Sequence, residues 1–236
     1  MLPSWATLVR ANNPGPMTLD GTNTWVLLPP DGGPAIVVDP GPDDEEHLRA
    51  VAALGPIGAI LVTHGHPDHV EGLPRLVELT GATGEPSGLE VETIATPGHT
   101  ADSVSFVVGT GGERAVLTGD TILGRGTTVL DGELGDYLAS LERLATLGAI
   151  PVLPGHGPVL ADCGAAARAY LAHRRERLDQ VRTALAAGAV TASDVVRTVY
   201  ADVDPALWPA AELSVRAQMA YLRRESSSYD PRLDGP

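Results

Sequence analysis

The chain has no lysine: all 16 basic residues are arginine, set against 30 acidic ones. It has a single cysteine, Cys163, so no internal disulfide framework is open to it, and that usage fits a reducing compartment. Aromatic residues make up only 4%, so the core must be assembled from Val, Leu, Ile and Ala. No apolar run approaches the roughly 20 residues that a membrane-spanning helix needs. The start, MLPSWATLVRANNPGPM, lacks the basic opening and apolar stretch of a signal peptide. These absences lead to the expectation of a cytoplasmic protein with no membrane partner.

The net charge of −14 is uneven: residues 1–160 carry all of it, whereas 161–236 hold 10 acidic and 10 basic residues. Such an acidic front does not draw in nucleic acid by its overall field. Bound divalent cations would offset it locally.

What the sequence does have is histidine in one place. The stretch AILVTHGHPDHVEG puts His64, His66, Asp68 and His69 into six consecutive positions after an apolar run. It is one of five segments with the same plan, an apolar strand candidate ending in a polar turn: 35–41, 59–69, 91–99, 115–120 and 151–156. Their turns carry Asp39, the histidine cluster, His99, Asp120 and His156. Five strand ends bearing metal-type side chains imply convergence on one edge of a sheet core in an α/β sandwich.

Helices are expected over 43–54, 69–80 and 136–147, the first opened by four acidic residues that suit the positive end of a helix dipole. Beyond His156 the chain turns Ala- and Arg-rich, with helices expected at about 164–188, 192–201 and 206–225 and a loosely ordered tail, SSSYDPRLDGP. The division is therefore residues 1–162 as a catalytic domain and 163–236 as a small helical one.

Two rings one residue apart can reach one ion where the backbone curls, and the Asp68-His69 pair can hold a second about 3.5–4 Å away. His99, Asp120 and His156 supply the remaining donors. Five histidines and two aspartates suit two Zn2+ ions first, with iron or manganese compatible. His47 and His173 fall in helical stretches outside this pattern and are expected on the surface.

THGHPDH, PGHT, TGDT and PGHG, in this order, resemble the successive metal motifs of the metallo-β-lactamase superfamily. The resemblance covers roughly residues 10–160 and implies a four-layer αββα sandwich with two metals at one edge. By it His64, His66 and His99 would hold one metal, Asp68, His69 and His156 the other, and Asp120 would bridge them. Asp39 would orient ligands from behind. Asp68 and Asp120 would be the catalytic carboxylates around a metal-bridging hydroxide. Zinc β-lactamases of the common type place a cysteine among the second-metal ligands; Asp120 stands in that motif here, which argues against antibiotic hydrolysis. NPGPMTLDGTNTWVL (13–27) and AHRRERLDQV (172–181) are similar to the branch of the β-lactamase-like endoribonuclease of mitochondria and its bacterial relatives, whose small C-terminal domain is winged-helix-like. Two departures stand out: the segment between His69 and His99 is short for that branch, and the tail lacks an apolar hairpin, so an all-α, three-helix appendage is expected rather than a full wing.

The resemblance implies a dinuclear-metal hydrolase. Single-stranded RNA cleavage is the first expectation, carried by the branch and by Arg174, Arg175, Arg177 and Arg182. A hydroxyacylglutathione-hydrolase-like thioesterase is the alternative, favoured by the acidic front and the scarcity of aromatics for base stacking. A non-catalytic metal-binding interaction protein is a third reading, opposed by the complete ligand set. Candidate substrate contacts are Asn23, Arg125, Arg174 and Arg175; turn chemistry around Gly21, Gly124 and Gly126, and a helix face paired with Glu176 and Asp179, account for the same residues structurally. A homodimer is compatible with the sequence.

Overall fold

Residues 2–228 are described by a computed structural model. The first sheet places β1 (Ala6–Arg10), β2 (Asn23–Leu27), β3 (Ala35–Val38) and β4 (Ile57–Leu61) side by side, with two antiparallel pairings and then a parallel one. The second sheet has the same order and sense: β5 (Glu90–Ala95), β6 (Val104–Thr110), β7 (Glu113–Gly119) and β8 (Val152–Pro154). A parallel neighbour requires a crossover, and helices supply both: α1 (Glu45–Ala52) lies between β3 and β4, α4 (Leu134–Ala145) between β7 and β8.

Alternation along the strands sets the layers. Ile36 and Val38 join Trp25, Phe106 and Leu117 in the core between the sheets. Ala35 and Val37 join Leu48 and Val51 of α1 and Leu76 of α3 (Leu73–Thr80) on the outer face. On the other side Val107, Val116 and Val152 join Tyr137, Leu141 and Leu144 of α4. The four layers are helix, sheet, sheet, helix.

Asp162 caps α5 (Cys163–Ala186), accepting from the Ala165 N–H at 2.8 Å. With α6 (Ala192–Val199) and α7 (Trp208–Ser228) it forms the C-terminal helical unit. Leu171, Leu178 and Val181 of α5, Val195 of α6 and Val215 of α7 belong to the same apolar cluster as α4. The helical unit is thus packed into the sandwich's outer layer. Among the described residues no strand follows β8.

The structure departs from the sequence expectations in four places. The helix expected over 69–80 is two, α2 (Pro67–Val70) and α3, because Pro74 lacks the N–H that a continuing helix would need. Strands β1, β2 and β6 did not stand out from pattern alone. His47 is buried, not superficial: its Nε2 lies 2.9 Å from Thr24 Oγ1, and burial lowers its pKa. Residues 226–228 of the tail extend α7, and the rest of it lies outside the described residues.

Candidate metal centre

Each strand that runs in parallel with a neighbour ends at the same edge. Asp39 follows β3, His64 and His66 follow β4, Asp120 follows β7 and His156 follows β8; His69 sits in α2, and His99 is delivered by the turn after β5. Three groupings of donor atoms result, each within 4.8 Å: His64, His66 and His99; His64, His69 and Asp120; Asp68, His69 and His156. The middle grouping shares a member with each of the others. All seven side chains named at the sequence level, Asp39 aside, therefore meet in one place.

Proton accounting fixes what these rings present. Asp39, at a strained φ of 55°, accepts from Thr63 N–H through Oδ1 and from Thr63 Oγ1 through Oδ2, each at 2.7 Å. Having given its proton to Asp39, the Thr63 hydroxyl faces His64 Nδ1 at 3.0 Å as an acceptor, so that nitrogen donates. His69 Nδ1 donates to Asp39 Oδ2 at 2.9 Å. His99 Nδ1 donates to the Val129 carbonyl at 2.8 Å, and Thr128 Oγ1 lies 2.9 Å away. His156 Nδ1 faces the Gly21 carbonyl at 3.3 Å. When each of these rings is neutral, as a metal ligand must be, its Nε2 lone pair turns inward.

Those lone pairs crowd. His66 Nδ1 lies 3.0 Å from both His64 Nε2 and His99 Nε2, and His69 Nε2 lies 3.2 Å from His156 Nε2. Asp120 Oδ1 is buried with no hydrogen-bond donor. Bare nitrogens at such separations, beside an orphaned carboxylate oxygen, are the donor set that a cation between them satisfies. Electrostatics agree. Burial first, and then the charge of His69, push the His64 pKa down to about 2, which keeps its lone pair free. Burial works against the charged form of His156, but hydrogen bonds to Asp120 and Asp68 outweigh it and raise its pKa to about 10. Burial likewise opposes the charged form of Asp68, yet His156, His69 and the Thr22 hydroxyl (2.8 Å) hold it below the usual carboxylate range. The two carboxylates call for positive charge at this point.

The candidate substrate residues separate. Asn23 is fully buried and donates to the carbonyls of Pro154 and Gly157 at 3.0 and 2.9 Å, fixing the His156 turn. Arg125 is ion-paired with Asp20 at 2.6 Å. Arg175 pairs with Glu142 at 3.1 Å on the surface. Arg174 is buried; it donates to the Thr128 carbonyl and lies 5.2 Å from the Tyr137 ring centroid. Helix α5 thereby grips the loop that orients His99, and Tyr170 adds a second grip through Leu123 N–H at 3.0 Å and the Gly126 carbonyl at 2.9 Å. Thr63, Thr128 and Tyr170 were not legible as site residues. Thr63 adjoins His64, but a lone threonine carries no signal, and the other two lie far from every motif.

A cleft of about 290 Å³ opens onto His99 and Asp120. Much of its wall is apolar, from Met17, Leu19, Leu123, Val129 and Leu207, with Thr127 and Thr128 adding hydroxyls. Its arginine, Arg125, is the one held by Asp20.

Comparison with known proteins follows the same division of the chain. The family model described as "Metallo-beta-lactamase superfamily" matches residues 17–87 and 78–156, and "Beta-lactamase associated winged helix domain" matches 191–226. The chain is 32% identical to a beta-lactamase-like protein 2 homolog of Caenorhabditis elegans, covering 97% of this chain and 87% of the relative. It is 31% identical to the atrochrysone carboxyl ACP thioesterase of Aspergillus fumigatus, over 81% of this chain and 72% of that one. Metallo-beta-lactamase family protein TTHA1429 of Thermus thermophilus shares the fold with a TM-score of 0.75 at 22% identity, covering 96% of this chain and 95% of its own.

Proposed function

As the chain belongs to the metallo-beta-lactamase superfamily and is one of its metal-dependent hydrolases, we propose that it hydrolyses small acyl thioesters with two divalent ions, zinc before iron or manganese. His64, His66 and His99 would hold one ion and Asp68, His69 and His156 the other. Asp120 would be shared between them. Bound ions supply Lewis acidity and a water whose pKa falls from 15.7 toward roughly 7.

The chain's own residues do the rest. Asp39 and the carbonyls of Gly21 and Val129 hold the rings with their inward nitrogens unprotonated. Thr22 steadies Asp68 as a carboxylate. The aliphatic side of the cleft offers the acyl chain an apolar wall. Hydrolysis would form an acyl C–O bond from water as the C–S bond breaks, and the thiolate, the conjugate base of an acid near pKa 8.5, would leave without a general acid. None stands beside the cleft.

One observation favours this over RNA cleavage: the cleft on His99 and Asp120 is walled largely by apolar side chains and offers a phosphodiester strand no unpaired cation. Three of the four arginines expected to bind RNA support the same choice, since Arg175 and Arg182 hold carboxylates and Arg174 is buried, while Arg177 has no carboxylate partner and is only partly buried. A relative at 31% identity is named as a thioesterase.

The test compares zinc-loaded and chelator-treated protein on a panel of acyl thioesters, read by thiol release, beside a labelled unstructured RNA. Thioester turnover that vanishes on chelation and returns with zinc is expected. Turnover indifferent to chelation, or RNA cleavage without thioester turnover, would sink the reading. A second expectation concerns Asp39: alanine there frees both His69 Nδ1 and Thr63, so metal affinity falls roughly 10–100-fold, measurable by competition with a chromophoric chelator. Unchanged affinity would leave Asp39 with a purely backbone role.

A further inference from the structure

Beside the aliphatic cleft lies a second cavity of about 230 Å³, sharing Met17, Thr127, Thr128, Val129 and Leu207 with it. The two are thus adjoining compartments along one interdomain groove. The second differs in charge. His173, Arg174 and Arg177 enter its lining from one face of α5, and none of its lining residues is acidic, in a chain where 30 acids face 16 arginines.

Among the described residues carboxylate pairing divides the arginines, and Arg10, Arg114, Arg143 and Arg168 lack it as the two here do. Eight arginines have a carboxylate partner. Arg174 and Arg177 have none. Arg177 uses Nη1 alone, on Gln180 Oε1 at 2.8 Å and the Val199 carbonyl at 3.0 Å, while its guanidinium sits 4.7 Å from the Tyr200 ring centroid. Its Nε and Nη2 groups have no acceptor. Arg174 Nε is buried without one. Burial first, and then the charges of Arg174 and Arg177, lower the pKa of His173, with Glu176 acting against them. Partly buried cations without counter-ions are costly unless something negative completes them.

We propose that this cavity seats a phosphate on the thiol arm of the substrate, with Arg177 and His173 as its contacts and Arg174 adding charge from behind. The inference rests on the thioester reading: the acyl group occupies the aliphatic compartment at His99 and Asp120, and the arm runs into the cationic one. A phosphorylated pantetheine arm has this chemistry, whether it belongs to coenzyme A or to a carrier protein. The cavity's size suits one phosphate, not a strand of them.

The test uses two substrates that differ by a single phosphate, S-acetyl-4′-phosphopantetheine and S-acetylpantetheine. The zinc-loaded protein is expected to favour the first at least about tenfold in kcat/KM. Arg177→Gln should remove most of that preference, through KM, as loss of a charge-assisted contact does. His173→Gln should cut it less. Arg216→Gln, which removes a surface partner of Glu212, should leave the preference as it is. Calorimetric titration with 4′-phosphopantetheine gives a readout independent of turnover, with binding weakened in Arg177→Gln. Acetyl-coenzyme A and an acetylated carrier protein then identify the source of the arm. Equal use of the two acetyl esters, with no binding of 4′-phosphopantetheine, overturns the phosphate site and leaves the thioesterase standing. Absence of any thioester turnover overturns both. RNA cleavage that Arg177→Gln abolishes would reassign the cavity to a strand phosphate.

Discussion

Asp120→Ala is expected to lower turnover at least about a thousandfold and to drop metal content from two ions per chain toward one. Asp120 is the side chain through which the two halves of the site meet. Its Oδ1 lies 3.5 Å from His69 Nε2, and its Oδ2 lies 3.3 Å from His156 Nε2 and 3.8 Å from His99 Nε2. Alanine removes both carboxylate oxygens and the negative charge together, so both proposed ions would lose a donor and the spacing between them would no longer be set. Asp120→Asn separates the effects: it keeps the shape and loses the charge, and should retain more metal than alanine while remaining poorly active. Elemental analysis of the purified variants, set beside initial rates, reads both. Full metal content with near-normal turnover in Asp120→Ala would remove this residue from the bridging position.

The clustering of His64, His66, Asp68, His69, His99, Asp120 and His156 was legible because their residue types fall into a compact pattern. No fold explains His64, His66, Asp68 and His69 in six positions, and the strand-then-turn plan of 35–41, 115–120 and 151–156 pointed His156, Asp120 and Asp39 at one edge. The shielding of those residues was not legible. Thr128 orients His99 from 29 residues away, and it does so because Arg174 of α5 holds its carbonyl; no spacing rule connects the three. Arg174 itself was misread for a physical reason. An arginine beside Arg175, Glu176 and Arg177 looks like one face of a solvated helix, yet α5 is covered by α4, α6 and α7, and a 24-residue helix covered on several sides has no single solvent stripe. His47 was misplaced in the same way, since an acidic helix start at Asp44–Glu46 hides that its next residue turns toward Thr24. Strand β2 escapes the alternation rule because it is buried on both faces, as all five of its residues are.

Gly155→Ala is the smallest change with a large expected effect. Gly155 lies between Pro154 and His156; its N–H donates to the Gly119 carbonyl at 2.8 Å and its carbonyl accepts from Asn23 N–H at 2.8 Å, so the turn is fixed on both sides. A methyl group built there would stand 2.5 Å from Asp120 Oδ1, 2.7 Å from His69 Cε1 and 3.1 Å from the Gly119 carbonyl carbon. None of these neighbours has room to yield. Asp120 is anchored by its strand end, and His69 by Asp39. The added carbon must therefore displace a ligand from each half of the site, or push His156 away with the turn. We expect a stability loss of about 1–3 kcal/mol, typical of overpacking, and a fall in turnover of two orders of magnitude or more, since misplacement by about 1 Å can cost 10²-fold. The stability term alone would leave most molecules folded, so activity must fall much further than the folded fraction does. Gly135→Ala gives the comparison, because its added methyl would meet nothing nearer than Tyr221 Cε2 at 3.5 Å. Thermal unfolding, metal content and rates on the three proteins decide the matter. If Gly155→Ala turns over like Gly135→Ala, then Asp120 and His69 have slack at this turn, and the close approach of β8 to the metal ligands is not what holds the centre together.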